Sequence, residues 1–140
     1  MKNQNTRHSD DQFITYHSVE IAQMLNDVPY RIGLSGHTDA TPFSTGESAY
    51  SNWELSADRA NASRRELVAG GMDEFKLLRV VGLSSSALYD KENPFNPINR
   101  RISIIVMNKK AEERVINDES KLPMTNKDSA AVVIDGVKRL

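Results

Sequence analysis

The sequence predicts an α/β protein, an α+β two-layer sandwich, and three observations carry the prediction. Apolar residues recur at helical spacing in two long stretches, and three short stretches read as strands. Between them the breaks fall at clusters of Gly, Pro, Asn and Ser. The order is α-β-α-β-loop-β, which a two-layer domain accommodates. A chain of 140 residues, 39% of them apolar, suits one domain with a modest core.

The first helix starts at Phe13, where Ile14, Ile21, Ala22 and Leu25 recur and Gln23 and Asn26 fall on the other side. It stops at Asn26-Asp27-Val28-Pro29, because the residue before a proline avoids the α region. Tyr30 to Gly36 follows as a strand, with Ile32 and Leu34 alternating against Arg31, Gly33 and Ser35. His37 to Tyr50 is loop. Asn52 to Ala69 is the best-marked helix: Ser51 and Glu54 form an S-x-x-E capping box, and Gly70-Gly71 closes it. Leu77 to Leu83 is the second strand and Ser84 to Ile98 a loop. Ile102 to Met107 is the third strand, with Ile102, Ile104 and Val106 on one face. Asn108 to Ile116 extends as a charged helix. Residues 1–12 are expected to be a disordered N-terminus, 13–110 the domain, and 111–140 a polar C-terminal tail.

Composition removes several function classes. With 18 Lys+Arg against 19 Asp+Glu the net charge is −1, so no global field draws in nucleic acid or anionic lipid. Asn99-Arg100-Arg101 with Lys109-Lys110 is a basic scatter, solvated rather than base-reading. Cysteine is absent, which excludes disulfides, thiol nucleophiles and Cys-ligated zinc. His8, His17 and His37 include no pair at i,i+4, so no metal site and no cofactor are expected. Residues 1–12 lack a signal peptide's apolar run, and no stretch approaches the roughly 18 apolar residues of a membrane span. Asn61-Ala62-Ser63 matches a glycosylation sequon but lies mid-helix.

Residues on a helix advance by about 100°, which assigns the faces of the second helix. Trp53, Ala57, Ala60, Leu67 and Val68 form the predicted core stripe, with Glu54, Asp58 and Arg65 opposite. Asn52, Leu55, Ser56, Arg59 and Ser63 occupy a third arc beside it. Arg64 falls inside the apolar stripe. Either its stem covers the core edge while its head reaches water, or it forms an internal ion pair bracing the Asp39 loop.

Gly36-His37-Thr38-Asp39 ends the central strand, where ligands of α/β sheets bind. Asp39 there and Arg59 on the following helix would make a dipolar site that complements a zwitterion. A turn-capping Asp and a surface Arg account for the same residues without any ligand. Catalysis with His37 as base and Asp39 as orienting acid is not expected, since no serine, thiol or metal motif accompanies them.

Three ordered motifs then give the chain a family resemblance: Gly36-His37-Thr38-Asp39, Ser51-Asn52-Trp53-Glu54-Leu55-Ser56-Ala57-Asp58-Arg59-Ala60 and Asn99-Arg100-Arg101-Ile102. Together they resemble the OmpA-like peptidoglycan-binding domain over about Val19 to Lys110. The wording around Tyr50 to Ser56 and Arg59 to Arg65 is similar to the wall-binding part of the flagellar stator family of the MotB type, polar or lateral. The resemblance implies a βαβαβ fold with a mixed sheet, and a non-catalytic hold on the diaminopimelate of the wall stem peptide. In it Asp39 takes the ammonium, Arg59 the carboxylate, and Asn52 and Leu55 contact the ligand backbone, while Thr38 sets the loop. Arg64, Asn99 and Arg100 are supporting residues. It further implies a place at the periplasmic face of the inner membrane, a homodimer, and a MotA-type membrane stator subunit as partner. Against the family pattern the first strand and the stator's membrane helix are missing, so a truncated chain is expected; Pro42 to Ala49 lengthens the loop between Asp39 and Arg59. A wall anchor of the envelope-tethering type, with no motor role, is the competing expectation.

Overall fold

Strand β1 (Arg31–His37) is the middle strand of the sheet. The structure, a computed structural model, describes residues 10–42 and 50–120. Within them the order is helix α1 (Asp10–Asp27), β1, helix α2 (Asn52–Ala69), β2 (Leu77–Gly82), β3 (Arg101–Met107) and helix α3 (Lys109–Ser120). Single 3-10 turns lie at Glu74–Lys76 and Pro97–Asn99. β1 pairs parallel with β2 and antiparallel with β3, giving a mixed sheet in the order β2-β1-β3. Helix α2 supplies the crossover that a parallel pair requires. This is the two-layer α/β architecture the sequence predicts.

The chain divides into two units, residues 1–107 and 108–140. The first holds the sheet, α1 and α2. The described part of the second is α3, where the Asn108 side chain accepts the Ala111 N–H at 2.9 Å and no residue is buried. Helix α1 begins at Asp10, inside the stretch expected to lack structure, because buried Ile14 holds its first turns to the core. The remainder of that stretch, residues 1–9, and residues 43–49 and 121–140, lie outside the described residues.

The core is built from the predicted spacing. Ile14, Ala22 and Leu25 of α1 meet Ile32 and Leu34 of β1, Leu67 of α2 and Met72, with Ile102 and Ile104 packed alongside. Val106 departs from its predicted face and stays half exposed, since β3 is an edge strand, while Met107 is buried. Alternation in β1 predicts one buried face, yet every residue from Ile32 to His37 is buried. Gly33 explains part of this: a Cβ there would lie 3.3 Å from Met107 Cε and 3.7 Å from Arg79 Cγ, so neighbouring side chains close over the bare backbone.

Helix α2 carries the predicted capping box, with Ser51 Oγ accepting the Trp53 N–H at 3.2 Å and Glu54 accepting the Ser51 N–H at 2.7 Å. At its other end Gly70 remains helical and Gly71 takes the left-handed φ of +107°. Met72 N–H then bonds Leu67 O at 2.9 Å and Gly71 N–H bonds Val68 O at 3.0 Å, a Schellman closure that needs a glycine at the second position.

The face α2 turns inward differs from the predicted one. Ser56, Ala60, Ser63 and Leu67 are buried, whereas Trp53 is 55% exposed. The reason is the spacing between layers. A Cβ on Gly36 would sit 2.0 Å from the Ser56 carbonyl oxygen, and one on Gly82 would sit 2.5 Å from the Ala57 nitrogen. The helix backbone touches both parallel strands, so only small side chains fit between them. Both serines are satisfied locally: Ser56 Oγ donates to Trp53 O and Ser63 Oγ to Arg59 O, each at 3.0 Å. Arg64 lies off this face, with its side chain 28% exposed and Nη1 3.9 Å from Glu74 Oε1, on the 3-10 turn before β2. It does not brace the Asp39 loop.

Gly36→Ala is therefore expected to destabilise the domain by about 3 kcal/mol or more, since the added methyl would meet a backbone oxygen that cannot rotate away. Urea melts measure this; an unchanged midpoint would mean that α2 can lift off the strand at no cost.

Candidate functional site

The chain leaves β1 at His37 and turns through a loop held both by its own hydrogen bonds and by bonds to neighbouring segments. Thr38 N–H bonds Ser84 O and Ala40 N–H bonds Pro94 O, both at 2.9 Å. The Thr38 hydroxyl donates to Asp39 O at 2.9 Å. Asp39 Oδ1 accepts the Thr41 N–H at 2.9 Å, an Asx turn that fixes the carboxylate's direction. From α2, Asn52 Nδ2 donates to Thr41 O at 2.9 Å. The loop is thus tied to the crossover helix on one side and to the 84–100 segment on the other.

Loop and helix enclose an open cleft of about 200 Å³. Thr38, Asp39, Asn52, Leu55 and Arg59, the five residues expected to bind, all line it. So do Thr41, Pro42 and Arg100. Asn52, Leu55 and Arg59 fall at i, i+3 and i+7 of α2, on the arc beside its buried face, so the contact that buries Ser56 also aims them at the loop. Asp39 is nearly buried, its side chain 11% exposed, and its Oδ2 lies 3.5 Å from Arg100 Nε. Arg100 is half exposed and belongs to the cleft wall, a place its reading as a supporting residue did not anticipate.

Asn99 supports this wall from beneath. Wholly buried, it accepts the Asp90 N–H at 2.7 Å and donates to the carbonyls of Asp90, Asn93 and Pro94 at 3.2, 3.2 and 3.3 Å. Pro94 in turn receives Ala40, so one amide organises the segment against which the Asp39 loop rests. The Asn96 amide on Asp90 Oδ2 and the Asn93 N–H on Oδ1 hold the Asp90 carboxyl below its ordinary pKa. Ser84 completes the frame. It holds a left-handed φ of 52°, its N–H bonds Ser56 Oγ at 3.0 Å, and its carbonyl receives Thr38. Nothing in Leu83-Ser84-Ser85-Ser86 marks this position in advance, and a non-glycine residue there is strained.

His37 stays out of the cleft. It is buried beside its register partner Arg101, with Nε2 3.5 Å from Ser103 Oγ and Nδ1 without a hydrogen-bond partner. Burial, and then the Arg101 charge, push its pKa below the ordinary 6.5. The Thr38 hydroxyl is committed to the backbone carbonyl of Asp39. Among the described residues no group of three or more His, Cys, Asp or Glu could hold a metal ion. No described helix is long and apolar enough to cross a membrane.

A mixed α/β domain with an acid at the end of its central strand and an arginine on its crossover helix defines a class. The OmpA family's sequence profile matches residues 11–101, and the chain belongs to the OmpA family. Among individual relatives, Motility protein B of Escherichia coli K12 is 54% identical over 101 residues, which are 72% of this chain and 33% of that protein. The chain thus spans about one third of that relative's length. Its fold is shared with the C-terminal domain of Helicobacter pylori MotB, at a TM-score of 0.58 and 22% identity, over 79% of this chain and 88% of that one. The cell wall anchor of the T6SS from Pseudomonas aeruginosa is similar at a TM-score of 0.55 and 25% identity, over 69% and 68% of the two chains.

Two outcomes test this frame. Asn99→Ala should cost about 2–4 kcal/mol, because several buried backbone groups lose their partner at once, and hydrogen exchange should quicken first between residues 90 and 94. Because folding lowers the His37 pKa, the unfolded chain takes up a proton below pH 6.5 that the folded chain resists. Stability should therefore fall as pH drops through 6.5, and His37→Asn should flatten that limb in melts run across the range. A parent and variant with parallel pH profiles would remove His37 from the account.

Proposed function

We propose that this chain binds peptidoglycan without hydrolysing it, by holding the free end of a diaminopimelate side chain in the cleft. Asp39 takes the ammonium and Arg59 the carboxylate; Asn52 and Leu55 contact the ligand backbone, and Thr38 sets the loop. The observation that carries this reading is the opposed pair itself: a nearly buried carboxylate on the loop faces a helix that presents Arg59 to the same cleft. Such a pair accepts an ammonium and a carboxylate together and rejects ligands lacking either, since an unmatched buried charge is costly.

The similarity to Motility protein B supports a role as the wall anchor of a flagellar motor stator, at the periplasmic face of the inner membrane. In that role the chain works as a homodimer beside a MotA-type membrane subunit. Its likeness to the cell wall anchor of another machine, the T6SS, favours the second reading, an envelope tether with no motor role. Both readings use the same cleft.

The chain is expected to sediment with insoluble diaminopimelate-type peptidoglycan and to release no fragments from it. Asp39→Ala and Arg59→Ala should each weaken binding by about 1.5–3 kcal/mol, roughly ten- to hundredfold, while melting like the parent. If both folded variants sediment as well as the parent, the cleft is not the binding site.

A further inference from the structure

Among the described residues the cleft is lined by one carboxylate, from Asp39, and two guanidiniums, from Arg59 and Arg100, and the geometry points to Arg100 as a stand-in cation for Asp39. We infer that a ligand's ammonium displaces Arg100 from Asp39 and that the freed guanidinium then pairs with a carboxylate of the same ligand. Arg100 thereby selects termini that carry both charges over termini that carry an ammonium alone. The inference rests on the zwitterion reading of the cleft and adds the residue that sets its selectivity.

The two oxygens of Asp39 are used unequally. Oδ1 is committed to the Thr41 N–H at 2.9 Å, inside the loop's own turn. Oδ2 has Arg100 Nε at 3.5 Å, longer than a hydrogen bond of about 2.7–3.2 Å. A carboxylate that is 11% exposed needs a positive neighbour when no ligand is present, and Arg100 supplies one. The Arg100 side chain is itself 49% exposed, and an ion pair that long and that wet is held weakly. It gives the Asp39 carboxylate a positive neighbour without closing the cleft.

Displacement has unequal consequences for different ligands. A lone ammonium gains Asp39 but takes from Arg100 the anion it faced, so the exchange gains little. A terminus with an ammonium and a carboxylate replaces both partners, and a guanidinium fork receives a carboxylate more specifically than an ammonium does. Selectivity then comes partly from a competitor built into the empty site, which penalises the wrong ligand rather than only rewarding the right one. The Asn99 amide anchors the chain one residue before Arg100, so the guanidinium swings from a fixed backbone.

The test is titration calorimetry on the full chain with two soluble stem tripeptides, L-Ala–γ-D-Glu followed by either diaminopimelate or lysine. The two differ only in the side chain's terminal carboxylate. Arg100→Gln should weaken the diaminopimelate peptide about tenfold and strengthen the lysine peptide severalfold, opposite signs that a merely bracing residue cannot produce. Arg100→Lys keeps the competing charge, so the lysine peptide should stay at the parent's affinity while the diaminopimelate peptide weakens. Equal weakening of both peptides by Arg100→Gln, or no change in either, overturns the assignment. Asp39→Asn separates the two levels. If it abolishes binding while Arg100→Gln shifts both peptides alike, only the Arg100 inference falls. If it leaves the diaminopimelate peptide untouched, the cleft reading falls and the inference with it.

Discussion

Backbone contact between α2 and the parallel strand pair is the constraint from which the rest of the structure follows. Gly36 and Gly82 remove side chains from both strands at the level where Ser56 and Ala57 cross them. With no side-chain layer between them, helix and sheet cannot slide or rotate by a residue without a clash between main-chain atoms. The hydroxyl of Ser56 then does two things from one place, donating back to Trp53 and accepting from Ser84 at the exit of β2. Helix register, strand spacing and loop path are set by the same few ångströms.

A binding cleft needs that exactness, because opposite charges separated by a poorly fixed gap recognise nothing in particular. Here the acid and the arginine stand on different elements, one after β1 and one on the second turn of α2. Their separation is as well defined as the glycine contact beneath them. The loop side is fixed by a buried polar network, Asn99 to Pro94 to Ala40, in which each member is satisfied. Networks of this kind are costly when incomplete and rigid when complete. The cleft thus draws its shape from a dry contact on one wall and a hydrogen-bonded hub on the other.

Much of this was legible in the sequence. The capping box, the Gly-Gly closure, the three strands and the convergence of Thr38, Asp39, Asn52, Leu55 and Arg59 follow from local pattern and motif order. What escaped is non-local. Hydrophobic arithmetic puts Trp53 in the core stripe and Ser56 on the arc beside it, because it weighs each residue by its own polarity and cannot know that glycines on the strands leave room only for small side chains. It likewise puts Arg64 inside the apolar stripe, where the structure gives it the 3-10 turn before β2 and a side chain 28% exposed. Arg100 shares its motif with a buried asparagine, and spacing alone does not separate the anchor from the residue that reaches the cleft. The left-handed Ser84 has no local signature at all.

The central place of β1 also has a mechanical meaning. Asp39 sits two residues beyond the end of this strand, so tension applied to anything held there enters the sheet along the β1 axis. β1 is laddered on both sides, parallel to β2 from Ile32 to Gly36 and antiparallel to β3 from Arg31 to His37. A pull along the axis loads these two rows in shear, with the bonds resisting together. Had the loop followed an edge strand and been pulled sideways, the bonds would have opened one after another like a zip. A loop that follows the innermost strand passes load into the sheet through both ladders at once.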